Sequence, residues 1–257
     1  MTTLNPSSDL IYLPTDLWSD EPPLESDLHL QQIILLLNCL ESFWSDRNDY
    51  YATGNLSIYY NAEQLKKRDF CGPDFFVVLN TEKRPRKSWV VWGEKGQYPH
   101  VIVEILSDST AKVDRTKKKE LYQNIFRTPN YFWFDPVSLE FQGFRLSEGI
   151  YQPINPDENG YLWSEQLELY LGIYERKLRY FTPEGELVLT PQELAEQERK
   201  LKENAEGKLK SLEDNQLLAV YRLQELGLTL EQIADALSLS IEQVRSILLQ
   251  YSPDSSG

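Results

Sequence analysis

The sequence predicts an α/β fold, a central mixed sheet with helices packed against it. Three observations carry that expectation. The chain runs in the order helix, short β-branched runs, helix, strand, which is the order of a sheet flanked by helices. Val101, Ile102 and Val103 form an unbroken apolar run, as in a central strand covered on both faces. Aromatics are plentiful, with 6 Trp, 15 Tyr and 10 Phe among 257 residues, enough to fill a sizeable core.

The elements follow in order. Residues 1–26 are polar and carry Pro6, Pro14, Pro22 and Pro23, so they read as an arm. Ser26 or Asp27 can cap the helix that follows. From Leu28 to Trp44, Leu30, Ile33, Ile34, Leu37, Leu40 and Trp44 fall at helical spacing and predict a long core helix. Leu56–Tyr60 reads as a strand. Gly72-Pro73 is a turn signal, and Asp74–Leu79 is the strand after it. Trp89–Trp92 and Val101–Leu106 are further strands. Ser107–Thr110 supplies cap residues for a helix from about Lys112 to Phe126. Tyr131–Phe134 is a buried strand closed by Asp135-Pro136. Glu140–Tyr180 alternates strands and turns and extends the same domain. Thr190-Pro191 is a helix start signal. Gln192–Glu213 is rich in Glu and Lys and predicts an exposed linking helix, and Asn215–Tyr251 turns apolar again at helical period. The expected organisation is an arm at 1–26, an α/β domain at 27–182, a charged helical linker at 183–214 and a helical module at 215–251.

Composition bounds the function. Cys39 and Cys71 are the only cysteines, so there is no disulfide framework and no zinc spacing. His29 and His100 are the only histidines, which excludes a multi-histidine metal site. No signal peptide is visible, and the longest apolar run, Ile33–Leu37, is far too short for a membrane span. The expectation is a soluble protein of a reducing, cytoplasmic compartment. The net charge of −14 argues against nucleic acid, but its distribution does not. From Lys66 to Lys119 there are thirteen Lys/Arg against seven Asp/Glu, a net of +6, leaving −20 for the remainder. Such a segment can meet a phosphate backbone, or Lys83–Lys87 can be a solvated loop.

The chemistry-bearing residues sit on the predicted strands and the helix after them. Asp74 opens one strand and Glu104 lies inside another, in an apolar run where an unpartnered carboxylate would cost several kcal/mol. Glu104 therefore needs a cation, either a lysine or a metal. Asp114, Lys118 and Tyr122 lie four apart and share a helix face, so that face can deliver Lys118 to the carboxylates. The plainer reading is an Asp114–Lys118 surface pair. Two carboxylates and a lysine are the parts that metal-assisted phosphodiester hydrolysis needs.

Four stretches, taken together, resemble a known family. They are Gly72-Pro73-Asp74-Phe75-Phe76-Val77-Val78; Val101 to Thr110, ending in the Ser-Asp-Ser-Thr box; Asp114, Lys118 and Leu121-Tyr122; and Pro129 to Pro136. In that order they resemble the Uma-type (Uma-two) endonucleases of the PD-(D/E)XK restriction-endonuclease-like superfamily, over about residues 28–136. The resemblance implies a restriction-endonuclease-like fold and a Mg²⁺ (or Mn²⁺) site. Its ligands would be Asp74, Glu104 and the Ile105 backbone carbonyl, with Lys118 orienting water or stabilising the transition state. The superfamily places a lysine two residues after the Glu; here that position is Leu106, so the lysine moves to the helix. The resemblance also implies an acid from the first helix, for which Glu25, Asp27 and Glu41 are candidates. Asp114, Tyr122 and His29 are supporting candidates, with capping or packing the other role for His29. Trp89, Trp92 and Tyr98 are candidates for stacking on bases, or for core packing.

Leu223–Leu248 resembles a helix-turn-helix of the kind in sigma-factor region four. Gly227 ends one helix, Thr229 with Gln232 and Ser240 with Gln243 form capping boxes, and Ile233, Ala234, Leu237, Leu239, Ile241, Val244 and Leu248 form its core. Gln243 and Arg245 are the candidate DNA contacts, but Glu242 beside them weakens that reading. A packing or dimerisation unit is the alternative. The functional expectation is a Mg-dependent endonuclease hydrolysing DNA. DNA is the partner, a homodimer the candidate assembly, and no membrane is involved. The alternatives are a non-catalytic nucleic-acid-binding or regulatory protein that retains the fold, and an interaction protein with the C-terminal module as its adaptor.

Overall fold

Ser26 starts the first helix: its hydroxyl accepts the His29 backbone N–H, satisfying one of the donors a helix start leaves open. The computed structural model describes residues 13–24, 26–61, 70–107 and 111–250, and in it this helix, α1, spans Asp27–Phe43. Its buried stripe is His29, Gln32, Ile33, Leu36, Cys39 and Leu40. The expected stripe is turned by about one residue, since Leu30 and Ile34 are largely exposed. Gln32 accounts for the turn. Its side chain donates to Leu178 O at 2.9 Å and accepts from Leu178 N at 3.0 Å, so it pairs like a strand residue.

Among the described residues twelve strands follow: β1 Tyr50–Gly54, β2 Ile58–Tyr59, β3 Phe70–Cys71, β4 Phe75–Leu79, β5 Trp89–Val90, β6 Val101–Ile105, β7 Asn130–Phe134, β8 Phe141–Ser147, β9 Ile150–Pro153, β10 Leu162–Ser164, β11 Leu169–Tyr174 and β12 Lys177–Phe181. The main sheet runs β1-β4-β6-β7-β8-β9, with β6 and β7 parallel and the other neighbours antiparallel. It is therefore a mixed sheet, and the one parallel pair is joined by a helical crossover as parallel pairing requires. Two three-stranded sheets, β10-β11-β12 and β3-β2-β5, accompany it. The crossover is a continuous helical segment, α2, over residues 111–126. It alternates α turns (Ala111–Val113, Lys119–Leu121) with π turns (Asp114–Lys118, Tyr122–Phe126).

The side-chain period of two sorts the sheet into two faces. Phe75, Val77, Val101, Val103, Phe132 and Phe134 join the core that includes α1 and the β10–β12 sheet. Phe76, Val78, Ile102, Tyr131 and Trp133 join the core under α2, with Tyr122 and Phe126. Trp89 belongs to this second core: it is fully buried, stacks on Tyr51 at 5.7 Å and donates to Gln97 O. It is thus packing, not a base-stacking platform. Tyr98 likewise packs on Phe126, and Trp92 donates to Pro14 O.

The arm is ordered structure where it is described. Residues 14–20 are held by side chains on and beside the small β3-β2-β5 sheet, which bond the backbone of the arm. Tyr59 donates to Trp18 O at 2.8 Å, Asp20 N donates to Ser57 Oγ at 2.9 Å, and Ser88 donates to Leu17 O at 2.6 Å.

The chain divides near Pro191 into two compact units. The second opens with α3, Pro191–Glu225, in which the charged stretch and the first apolar turns of the module are one helix. Its expected exposure is seen: Val220 alone is buried. Then come α4, Leu230–Leu237, and α5, Ile241–Gln250. Val220, Ile233, Ala234 and Val244 form their common core, whereas Ile241, expected in that core, is largely exposed at the helix start. Both capping boxes are present. Among the described residues, no helix is long and apolar enough to cross a membrane.

Gln32→Leu tests the link between α1 and β12. It strands a buried backbone N–H and C=O at Leu178, and should cost about 2–4 kcal/mol of stability. The check is urea unfolding of the variant; an unchanged midpoint would contradict the assigned role.

Candidate active site

β4 and β6 pair with Phe75 opposite Val103, so one step further along the ladder sets Asp74 against Glu104. Both fall on the α2 side of the sheet, in the alternation that points Phe76 and Ile102 there. Pro73 precedes Asp74, and its ring fixes its own φ just before the chain enters the strand. The Asp74 N–H donates to Glu104 Oε2 at 3.3 Å, and Asp74 Oδ2 accepts the Ile105 N–H at 2.7 Å.

Glu104 is fully buried. Three groups compensate its charge. Lys118 Nζ donates to Oε2 at 3.0 Å, Tyr122 donates to Oε1 at 2.5 Å, and the Asp74 N–H adds the third contact. Lys118 also pairs with Asp114 Oδ1 at 3.0 Å and donates to Gly72 O at 3.3 Å. Asp114, Lys118 and Tyr122 therefore do share a face, and that face closes over the carboxylates. The Asp114–Lys118 pair is not on the surface, because Asp114 is buried and Lys118 is mostly covered. The π turns are where these residues sit, and such turns often occur at functional sites.

His29 holds the opposite side. Its Nε2 lies 2.5 Å from Ile105 O and its Nδ1 3.1 Å from Ser26 Oγ. A carbonyl only accepts, so Nε2 carries the proton; Nδ1 then accepts from the Ser26 hydroxyl. The helix cap and the backbone of β6 are thus joined through one imidazole, leaving Ile105 O a second lone pair. Leu106, at the superfamily's lysine position, is buried in the core under α2.

The electrostatics follow from burial and from the shared ammonium. Burial, with Asp74 adding to it, pushes the Glu104 carboxyl up to about 7 against the pull of Lys118. Burial also raises Asp74, while Lys118 and the Ile105 N–H lower it. Burial pulls Lys118 down, but Glu104, Asp114 and Asp74 together push it well above its ordinary value, so it remains an ammonium. Tyr122 is raised well above its ordinary value by burial and by its neighbours Cys71 and Glu104, so it remains a donor. Cys71, whose thiol is 3.2 Å from the Tyr122 hydroxyl, is pushed up to about 12 by burial and is inert as a nucleophile.

Other expected residues lie elsewhere. Among the first-helix acids, Asp27 is exposed, Glu41 pairs with Lys83 at 2.7 Å, and Glu25 lies outside the described residues. So do Asp108–Thr110 of the Ser-Asp-Ser-Thr box, Lys66–Asp69 of the basic segment and Tyr251. The cations of Lys83–Lys87 are ion-paired, with Lys83, Arg84 and Lys87 exposed and the Arg86 side chain covered. Lys83, Arg84, Arg86 and Lys87 pair with Glu41, Glu94, Glu94 and Asp16. Arg86 is buried between Tyr51 and Trp89. In the second unit, Gln243 Oε1 accepts Ser240 N at 2.8 Å, so its carbonyl serves the cap, while Arg245 is exposed. Sequence reasoning passes over one acid that the structure brings to the site, Glu21 of the arm, whose carboxyl group lies against Gly72.

The donor set fits a hard divalent cation. Two carboxylates and a carbonyl are all oxygen, and Mg²⁺ takes one or two carboxylates and keeps several waters. Among the described residues no group of three or more His, Cys, Asp or Glu side chains is placed to hold a metal ion.

Comparison with known proteins bears on this arrangement. A family model described as "Uma2: Putative restriction endonuclease" matches residues 4–174. No curated protein matches. A solved structure described as a putative nuclease belonging to DUF820, from Anabaena variabilis ATCC 29413, is similar with a TM-score of 0.44 at 15% identity, covering 59% of this chain and 80% of that one.

Two outcomes test the charge network. Lys118→Met leaves Glu104 buried without its cation and should cost about 3–5 kcal/mol, whereas the double variant with Glu104→Leu should recover most of it; denaturant titration compares them, and a loss that persists in the double variant would contradict the pairing. The raised Glu104 carboxyl binds a proton more tightly folded than unfolded, so it adds nothing unfavourable below about 4.5 and opposes folding increasingly as pH rises to about 7. Wild type should therefore lose stability relative to Glu104→Gln across that window, and parallel stability curves would refute the shift.

Proposed function

The chain belongs to the Uma2 family, and on that premise we propose that it is a metal-dependent endonuclease hydrolysing DNA phosphodiester bonds with Mg²⁺ or Mn²⁺. One observation carries the reading: the fully buried Glu104 carboxylate has Lys118 Nζ at 3.0 Å on the same oxygen that the Asp74 N–H approaches. A family acid, a second acid and a lysine thus meet at one point on one face of the sheet.

Asp74, Glu104 and the Ile105 carbonyl would hold the cation. When bound, the ion supplies a water of lowered pKa and neutralises charge on the scissile phosphate. The protein's own groups do the rest. Tyr122 fixes the Glu104 rotamer through Oε1 and leaves Oε2 toward Asp74. The Ile105 N–H fixes Asp74 through Oδ2. His29 sets the direction of the Ile105 carbonyl. Lys118 stays protonated, so it acts as a donor and a charge toward the developing negative phosphate, not as a base. Like Asp74 it is partly exposed, so an arriving phosphate can meet it.

Nicking of supercoiled plasmid with Mg²⁺ or Mn²⁺ tests the proposal. Wild type should nick, and Glu104→Gln and Lys118→Met should each lose at least about 100-fold. Equal nicking by wild type and Glu104→Gln, or none by wild type with either ion, would overturn it.

A further inference from the structure

We propose that Glu21 is a third carboxylate of this site, supplied by the extended arm and not by the first helix, and that it engages the cation through the cation's water. The inference rests on the metal-dependent reading above. Its first support is how firmly the arm is registered. Ser19 Oγ accepts the Ser57 N–H at 3.0 Å, Ser57 Oγ accepts the Asp20 N–H at 2.9 Å, and Asn55 donates to Pro22 O at 3.3 Å. These bonds bracket residue 21 on both sides, and Pro22-Pro23 removes backbone freedom just beyond it. Glu21 is thus set in place by its neighbours.

The second support is the contact with Gly72. A Cβ at that position would fall 1.8 Å from Glu21 Cδ and 2.0 and 2.1 Å from its two oxygens, so only glycine admits the carboxyl group there. Gly72 is part of the site, since its carbonyl accepts from Lys118 Nζ at 3.3 Å and Asp74 lies two residues on. The Glu21 carboxyl feels that site. Burial raises it most, Lys118 favours its ionised form, and Glu104 opposes it.

The third support is the charge balance. Four carboxyl groups (Glu21, Asp74, Glu104 and Asp114) lie within the influence of one ammonium, Lys118. Lys118 itself is committed to Glu104, Asp114 and Gly72 O. Glu21 Oε1 accepts from Ser57 Oγ at 3.2 Å, and among the described residues Oε2 has no hydrogen-bond partner and no cation pairs with it. Among the described residues the partly buried acids thus outnumber the cations beside them, an arrangement that favours a divalent ion. Mg²⁺ keeps several waters, so an acid too distant to ligate still accepts from a bound water.

Direct Mn²⁺ binding to the intact protein, read from the loss of the free-ion paramagnetic resonance signal, tests this without reference to cleavage. Glu104→Gln should abolish binding. Glu21→Gln should weaken it about 10-fold or more, the usual cost of losing an outer partner of a metal site, with no loss of stability in metal-free buffer. Gly72→Ala, which displaces the Glu21 carboxyl without altering its charge, should weaken binding similarly, and combining the two should add little. Wild-type affinity in Glu21→Gln, beside lost binding in Glu104→Gln, would overturn the role of Glu21 alone. Wild-type affinity in Glu104→Gln would overturn the metal site itself.

Discussion

A carboxylate buried in the central strand is the constraint from which the rest of the site follows. Glu104 sits between Val103 and Ile105 with no exposure, where desolvation alone disfavours its charge by several kcal/mol. Such a group survives only if neighbours from several elements meet it. Here β4 brings Asp74, α2 brings Lys118 and Tyr122, and α1 brings His29 to the adjacent carbonyl. Each of these elements is anchored by the two apolar cores on either side of the sheet. Packing therefore sets the geometry, and the geometry makes the buried charge tolerable. A fold that needed only stability would more readily place a leucine at 104 than a carboxylate whose affinity for protons is raised.

Much of this was legible in the sequence because the relevant signals are local. The run Val101-Ile102-Val103 marks a doubly covered strand, and an acid following it can only be buried. Period two then puts Glu104 on the face of Ile102, and the four-residue spacing of Asp114, Lys118 and Tyr122 puts three groups on one side of a helix. Ser26, Thr229 and Ser240 announce helix starts through short-range chemistry that the structure repeats. What stayed hidden depends on distant partners. The turn of α1 about its axis is decided by Gln32 bonding Leu178, 146 residues away. The pairing of the basic loop is decided by Asp16, Glu41 and Glu94, none of which its own composition shows. Glu21 has no periodicity to reveal it, and its only trace is the proline pair that follows. The π turns leave no mark in residue type at all.

The second unit follows a different logic. α4 and α5 share a small core of Val220, Ile233, Ala234 and Val244, and their starts are held by reciprocal side-chain caps. The cap that orders α5 uses the carbonyl of Gln243, the residue otherwise best suited to reading an adenine edge. Arg245 is then left as the exposed base-reading candidate on that helix, beside Glu242. The Gln243 carbonyl is thus committed to the cap that orders α5.

That the lysine facing Glu104 stands at position 118 and not at position 106 has a physical reason in the same sheet. Position 106 lies two residues after Glu104 and so on the same face, where it would point its side chain into the core under α2 that Phe76, Ile102, Tyr131 and Trp133 fill. An ammonium there would be surrounded by rings, and Leu106 occupies the place at 2% exposure. A lysine on α2 approaches the same carboxylate from the solvent side. It keeps part of its surface in water and gains Asp114 and Gly72 O as additional acceptors. The helix position thus gives the ammonium both a buried partner and an exposed edge, which the strand position in so aromatic a core cannot provide.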